Sequence, residues 1–162
     1  MSSWSHSHIG ARIPDGWHQR DSLTLSHPDG RANLICSSEE TDEATSTTSA
    51  YASAQDSELR SRFPGFVQHS FGPDRVFGGH DGFRRVFSWT PDDGPQVTQM
   101  QLYLVLAGRS YTATATATAE DFDELSPLLE EMLLDLQIYD PTVVDAAAPA
   151  TVATELVARA RA

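Results

Sequence analysis

Two long alternating segments on either side of Gly108 constrain the fold of this chain most strongly. Residues 96–107 place an apolar side chain at every second position, and residues 110–119 alternate between small apolar side chains and threonine. A period of two is typical of β-strands, because successive side chains point to opposite faces of a sheet. A tight turn at Gly108 joins such strands as antiparallel neighbours. We therefore predict two paired strands, each with two chemically different faces.

The two faces of these strands have different compositions. In the first strand, one face carries Met100, Leu102, Leu104 and Leu106, and the other carries Gln99, Gln101, Tyr103 and Val105. In the second strand, one face carries Tyr111, Ala113, Ala115 and Ala117, and the other carries Thr112, Thr114, Thr116 and Thr118. The apolar faces predict a buried core, and the amide- and threonine-rich faces predict a surface that is only half covered.

Shorter runs of the same kind predict further strands. They lie at residues 9–13, 21–26, 32–38, 66–71 and 83–90. Turn-forming residues separate several of them, as at 14–16, 27–30 and 91–95. The runs around Leu23–Leu25 and Leu34–Cys36 predict a hairpin. In the run 83–90, Phe83, Arg85, Phe87 and Trp89 share one face. We predict that its aromatic residues are buried together with Leu102, Leu104 and Leu106.

Two segments have the spacing of helices. Residues 44–62 carry Tyr51, Gln55, Leu59 and Phe63 at intervals of four, and Phe63-Pro64-Gly65 ends that helix. Residues 120–138 carry a continuous apolar stripe of Phe122, Leu125, Leu129, Met132, Leu133 and Leu136. The prediction is an α+β fold with a mainly antiparallel sheet of about six to seven strands, flanked by two long helices.

The length of 162 residues suits one domain. We predict a flexible lead-in over residues 1–8, a single domain over 9–139, and a flexible or weakly helical tail over 140–162. Removal of the tail is expected to leave the melting temperature within a few degrees.

The net charge of −12, from 23 acidic and 11 basic residues, argues against nucleic-acid binding. The start of the chain has neither the basic nor the apolar segment of a signal peptide. No apolar run approaches the ~20 residues that span a bilayer. We therefore expect a cytoplasmic protein without stable membrane insertion.

No residue pattern indicates catalysis, a metal site or a cofactor site. Cys36, the single cysteine, lies in an apolar run, which is typical of a buried thiol. The His6–His8 pair has the composition of a solvated terminus, and no cysteine–histidine spacing fits zinc. The glycine-rich segment 78–82 lacks the strand and helix that surround a phosphate-binding loop. The expectation is a non-enzymatic protein without catalytic residues, metal or cofactor.

One face has the composition of a binding surface. Gln99, Gln101, Tyr103 and Val105 combine uncharged amides with an aromatic and an aliphatic side chain, as the centres of interfaces do. We predict that this face binds a protein partner and that Tyr103 is its anchor. The competing interpretation places Tyr103 in the core beneath a helix. A small-ligand or sensor domain with a pocket between sheet and helix is the alternative function.

Several segments together resemble the DcrB-related proteins, a group with the Mog1/PsbP-like fold. The matching segments are residues 12–17, 63–66, 78–89, 99–103, 108–115 and the closing helix from Phe122 to Leu136. The resemblance covers residues 9–138. It implies an antiparallel sheet flanked by helices in a sandwich.

A cytoplasmic branch of that fold is similar to the effector-associated chaperones of type VI secretion. Such chaperones bind apolar N-terminal helices of large toxins and load them onto a secretion apparatus. The resemblance thus implies a chaperone or adaptor whose partner is a helical segment of a secreted effector. The sequence leaves a homodimer open, and fold similarity alone does not fix function.

Overall fold

The computed structural model describes residues 14–138, in which six strands form one antiparallel sheet. In chain order the elements are β1 (Arg20–Ser26), β2 (Ala32–Glu40), α1 (Thr48–Arg62), β3 (Val67–Val76), β4 (His80–Trp89), β5 (Val97–Leu106), β6 (Arg109–Thr118) and α2 (Phe122–Leu134). The strand order across the sheet is β1-β2-β6-β5-β4-β3. The antiparallel α+β class is confirmed, and the strand expected at 9–13 lies outside the described residues.

Short turns connect most neighbouring strands, as the sequence predicted. The hairpin of β1 and β2 pairs Leu23 with Cys36 and Leu25 with Leu34. Between β5 and β6, Ala107 and Gly108 both have positive φ angles, of 50° and 76°. Positive φ at both central residues is the geometry of a two-residue hairpin turn that follows the twist of the strands. The crossover through α1 then places β2 beside β6.

One face of the sheet, the α2 face, carries the larger apolar core. Alternation brings the leucines and Met100 of β5 and the alanines of β6 to this face, where Leu125, Leu129 and Leu133 of α2 pack on them. All three leucines are buried. The predicted stripe of this helix is therefore confirmed as its core-facing side.

The opposite face, the α1 face, carries a smaller cluster. Tyr51 and Ala52 of α1 pack on Tyr103, with Phe83 and Val105 at the edge of the contact. The aromatic residues of β4 expected in the core with Leu102 and Leu104 are on this second face, because odd-numbered positions of both β4 and β5 point toward α1. The sheet thus has two separate clusters.

The prediction of two long helices is corrected by their bounds. Helix α1 has 15 residues and begins at Thr48, because the Thr47 side chain accepts a hydrogen bond from the backbone of Ala50 and caps the helix. Helix α2 has 13 residues. It begins at Phe122 because the backbone N–H of Asp121 donates to the carbonyl of Thr118 in a turn that precedes the helix.

Candidate functional site

Three rows of side chains cross the α1 face from β1 to β4. The pairing register aligns Thr24, Ile35, Thr114, Gln101 and Arg85 as successive neighbours in the central row. Residues directly opposite one another in a sheet lie on the same face, so this register fixes the composition of the surface. The flanking rows are Ser26–Asn33–Thr116–Gln99–Phe87 and Ser22–Ser37–Thr112–Tyr103–Phe83.

Helix α1 covers only one side of these rows. Its contacts lie mainly on β4 and β5 and reach β6 where the Tyr51 phenol bonds to the Thr112 hydroxyl. On the rest of this face, the side chains of Ser22, Thr24, Ser26 and Ile35 are exposed, and those of Asn33, Ser37 and the β6 threonines are half-buried. Ile35 is 40% exposed, and Thr24 is also exposed. We call this uncovered part the open shelf. It consists of Ser22, Thr24, Ser26, Asn33, Ile35, Ser37, Thr112, Thr114 and Thr116.

The open shelf is polar but carries no formal charge. None of its nine side chains is ionisable at neutral pH, although the chain as a whole has a net charge of −12. Charged residues on this face lie outside the shelf, where Arg20 and Glu39 pair across β1 and β2 and Arg85 lies beneath α1. Hydroxyl and methyl groups therefore dominate the shelf.

The glutamines at the border of the shelf are held by hydrogen bonds. Gln99 donates its amide to the Thr116 hydroxyl at 2.8 Å and accepts a hydrogen bond from the Trp89 indole at 3.2 Å. Gln101 donates to the Thr114 hydroxyl at 3.2 Å and accepts one from the Tyr103 phenol. Each threonine hydroxyl that accepts such a bond keeps its own proton for a further acceptor.

Tyr103 lies in the core and not on an exposed surface. Its side chain has no exposed area, and its ring packs edge-on against Tyr51 of α1 with centroids 6.1 Å apart. Burial raises the pKa of its phenol. The predicted role of Tyr103 as an accessible anchor is therefore wrong in this arrangement, because α1 covers it.

The other three residues predicted to bind a partner have different exposures. Gln101 is buried, whereas Gln99 and Val105 are half-buried. Val105 lies beneath α1, where its backbone N–H donates to the Thr48 hydroxyl at 3.0 Å. Partner binding by this set stays a prediction, and its accessible part is the border with the open shelf.

A buried arginine connects α1 to the sheet. Arg85 of β4 is 1% exposed and donates to the Asp56 carboxylate at 2.9 Å and to the Ala52 carbonyl at 3.2 Å. Its guanidinium lies 4.5 Å from the ring centroid of Phe71 and 5.5 Å from that of Tyr103. The Arg85 Nε is buried without a hydrogen-bond partner among the described residues. A hydrogen bond from Arg60 and the charge of Arg85 lower the pKa of Asp56.

A cleft between α2 and the β1–β2 hairpin is the place where the alternative, a small-ligand pocket, would lie. Its volume is about 160 Å³, and Leu25, Leu34, Leu125, Leu128 and Met132 are among its lining residues. Pockets for drug-sized molecules have volumes of about 300–1,000 Å³. The cleft is thus small for such a ligand.

A serine–histidine contact was missed by the sequence reasoning. His69 lies within hydrogen-bond distance of the Ser88 hydroxyl, at 2.7 Å, because a β-bulge between Gln68 and Ser70 adds one residue to β3. Ser88 is buried and also bonds to the Thr98 hydroxyl at 2.8 Å. A substrate could not reach this hydroxyl, so the contact lacks the exposure of a nucleophile.

The described part of the chain contains no candidate metal site and no candidate membrane-spanning helix. Within residues 14–138, no three side chains of histidine, cysteine, aspartate or glutamate gather in a way that could hold a metal ion. No helix within the same range combines the length and apolar character needed to cross a membrane. The His6–His8 pair lies outside these residues.

The assembly of the open shelf also escaped the sequence reasoning. The polar alternation of β6 was recognisable, and the serines of β1 and the polar positions of β2 alternate in the same way. What joins them is the placement of β2 beside β6, which depends on a crossover of many residues through α1. No local pattern encodes that neighbour relationship.

Comparison with known proteins shows the fold alone. No protein-family model matches the chain, and no curated protein matches it. A crystal structure of a protein of unknown function from Pseudomonas aeruginosa is similar with a TM-score of 0.64 at 18% identity, over 79% of this chain and 90% of that chain. CalU16 from Micromonospora echinospora aligns over 89% of this chain and 94% of its own, with a TM-score of 0.31 at 14% identity. The second value is too low to support an argument.

Proposed function

We propose that this chain binds an apolar helix of another protein on the open shelf and acts as a chaperone or adaptor for it. The resemblance to DcrB-related proteins and to effector-associated chaperones would make that partner a secreted effector. The cytoplasmic location and the Mog1/PsbP-like classification belong to the same proposal. The observation that carries it is the uncovered, uncharged surface beside α1.

The dimensions of the shelf suit one helix. Neighbouring strands lie about 4.8 Å apart, so the midline between β2 and β6 is about 10 Å from the midline between β5 and β4, where α1 packs. Packed helices have interaxial distances of about 8–10 Å. A helix over β2 and β6 would therefore lie beside α1 and complete the layer.

The chemistry of the shelf suits an apolar helix that carries some polar groups. Small serine and threonine side chains let a helix backbone approach closely, as small residues do between helices in membranes. Their hydroxyls, together with the border amides of Gln99 and Gln101, can bond to polar atoms on that helix without presenting a charge to it. A negative net charge elsewhere would help to keep the complex in solution.

A substitution in the centre of the shelf tests this proposal. The probe is a fluorescein-labelled 20-residue helical peptide of leucine, alanine and serine with a lysine at each end for solubility, and fluorescence anisotropy is the readout. Thr114→Asp places a charge where the helix would lie and should weaken binding at least about tenfold. Ser53→Asp, on the exposed side of α1, is the matched control and should bind as the unmodified chain does.

Three outcomes would contradict the proposal. They are no binding by the unmodified chain, equal binding by all three proteins, and equal losses in the two variants. Circular dichroism melts of each variant ensure that folded protein is compared with folded protein. A peptide that instead binds the cleft beside α2 would be released by Leu128→Asp and not by Thr114→Asp.

A further inference from the structure

The attachment of α1 to the sheet combines a small apolar and aromatic contact with several polar ones. Of its 15 residues, only Tyr51, Ala52 and Leu59 are buried. The Tyr51 phenol bonds to the Thr112 hydroxyl at 2.7 Å, and the Thr48 hydroxyl bonds to the backbone of β5. Polar contacts exchange readily with water, so they resist the separation of a helix less than an apolar interface does.

The helix hides groups that its removal would expose. Beneath it lie Tyr103, Phe83, Val105 and Arg85. Closure leaves the Arg85 Nε buried and unbonded, which raises the free energy of the closed arrangement. Contact with water in an open arrangement would satisfy that group, whereas the bonds of the same guanidinium to Asp56 and to the Ala52 carbonyl favour the closed arrangement.

The connections of α1 are irregular but are held to the sheet at their outer ends, where Thr41 bonds to the Gly108 carbonyl and Phe63 stacks on Trp89 with centroids 4.3 Å apart, so the helix would have to move between these points. Residues 41–47 link β2 to the helix and contain only turns and bends, and residues 63–66 link it to β3. Gly65 in the second connection has a φ of 66°, a conformation that glycine adopts without strain. Both ends of the helix therefore lead into short segments without strand or helix structure.

We propose that α1 is a displaceable cover, which separates from β4 and β5 as one unit while the sheet and α2 stay folded. The Asp56–Arg85 ion pair is the latch that sets how often it opens. In the open arrangement, the aromatic and aliphatic groups around Tyr103 extend the open shelf to β4. This last consequence rests on the proposed function, whereas the opening itself does not.

Amide hydrogen exchange of the full chain, without any partner, tests the opening. The amides of α1 should exchange together and at least about tenfold faster, relative to their intrinsic rates, than those of α2 and β5. Asp56→Asn should accelerate α1 by a further factor of about ten and change α2 and β5 much less. Glu58→Gln is the matched control. Asp56 pairs with Arg60 and Glu58 pairs with Arg62, in each case four residues apart within α1, but only Asp56 also contacts Arg85.

The exchange pattern decides between a cover and an ordinary core helix. Equal protection of α1, α2 and β5 would overturn the proposal, as would equal acceleration of all elements by Asp56→Asn. Equal effects of Asp56→Asn and Glu58→Gln on the exchange of α1 would show that the Asp56–Arg85 pair does not control the opening. Tyr51→Phe, which deletes only the hydroxyl bonded to Thr112, tests the opening of α1 if Asp56→Asn does not fold. Because no peptide is present, failure of peptide binding leaves these results unaffected.

Discussion

The two helices hold opposite faces of one sheet by different chemistry. Helix α2 buries Leu125, Leu129 and Leu133 against alanine, leucine and methionine side chains. Helix α1 buries one leucine, one alanine and one tyrosine, and is joined to the sheet by the Arg85–Asp56 pair and by hydroxyl contacts. The α2 face is a continuous core, whereas the α1 face is half cover and half open surface. We therefore expect stability to depend mainly on the α2 face, whereas the proposed binding would use the α1 face.

Among the proposed substitutions, we expect the largest loss of stability from one on the α2 face. Leu104 is 2% exposed within that core, and Leu104→Asp would bury a charge without a partner, at a cost of several kcal/mol. Since a domain of this size has a stability of roughly 5–15 kcal/mol, we expect the variant to be largely unfolded. A thermal melt measures this outcome.

The matched control for this substitution lies on the open shelf. Thr24 is exposed, so Thr24→Asp should change the stability by no more than about 0.5 kcal/mol. Similar melting temperatures for the two variants would show that the faces do not differ in burial.

The second largest loss of stability is expected in the part of the α1 face that lies beneath the helix. Tyr103→Ala removes a fully buried ring from between Tyr51 and Arg85 and should destabilise the domain by about 3–5 kcal/mol. The sequence alone predicted a loss of partner binding with an intact fold. Urea unfolding, together with peptide binding at matched concentrations of folded protein, separates these outcomes. A loss of binding at unchanged stability would restore Tyr103 as an exposed anchor.

Sequence periodicity predicted the positions of the strands well, but it did not predict which elements pack on each face of the sheet. The alternation in β4, β5 and β6 separated the two faces of each strand correctly because a period of two is a local property, but it did not show that the aromatic face of β4 lies opposite the leucines of β5. The position of Tyr103 could not be predicted, because the side chain is covered by a helix 52 residues earlier in the chain. The weak apolar stripe of α1 gave no indication of the face on which it packs. The ion pair Arg85–Asp56, which joins α1 to the sheet, could not be predicted either, because no sequence pattern shows that these two charged residues are in contact.

The smallest effect is a difference in thiol reactivity. Cys36 packs against the α2-face core, and burial raises its pKa to about 11. Because the thiolate is the reactive form, a raised pKa lowers the reactive fraction at pH 8. The native chain should react with Ellman's reagent at least about tenfold more slowly than the chain unfolded in urea. Equal rates would mean that this end of the α2 face is open to solvent.

The alternation of alanine and threonine in β6 bears on errors in strand registration during folding. A shift of β6 by one residue would exchange its two faces and place the hydroxyls of Thr112, Thr114 and Thr116 beneath α2. The two residue types are both small, so steric exclusion discriminates only modestly between the correct and the shifted pairing. The penalty arises instead from hydroxyls that would be desolvated without acceptors. The polarity of the threonines therefore keeps this strand in its correct alignment, in addition to making the exposed surface uncharged.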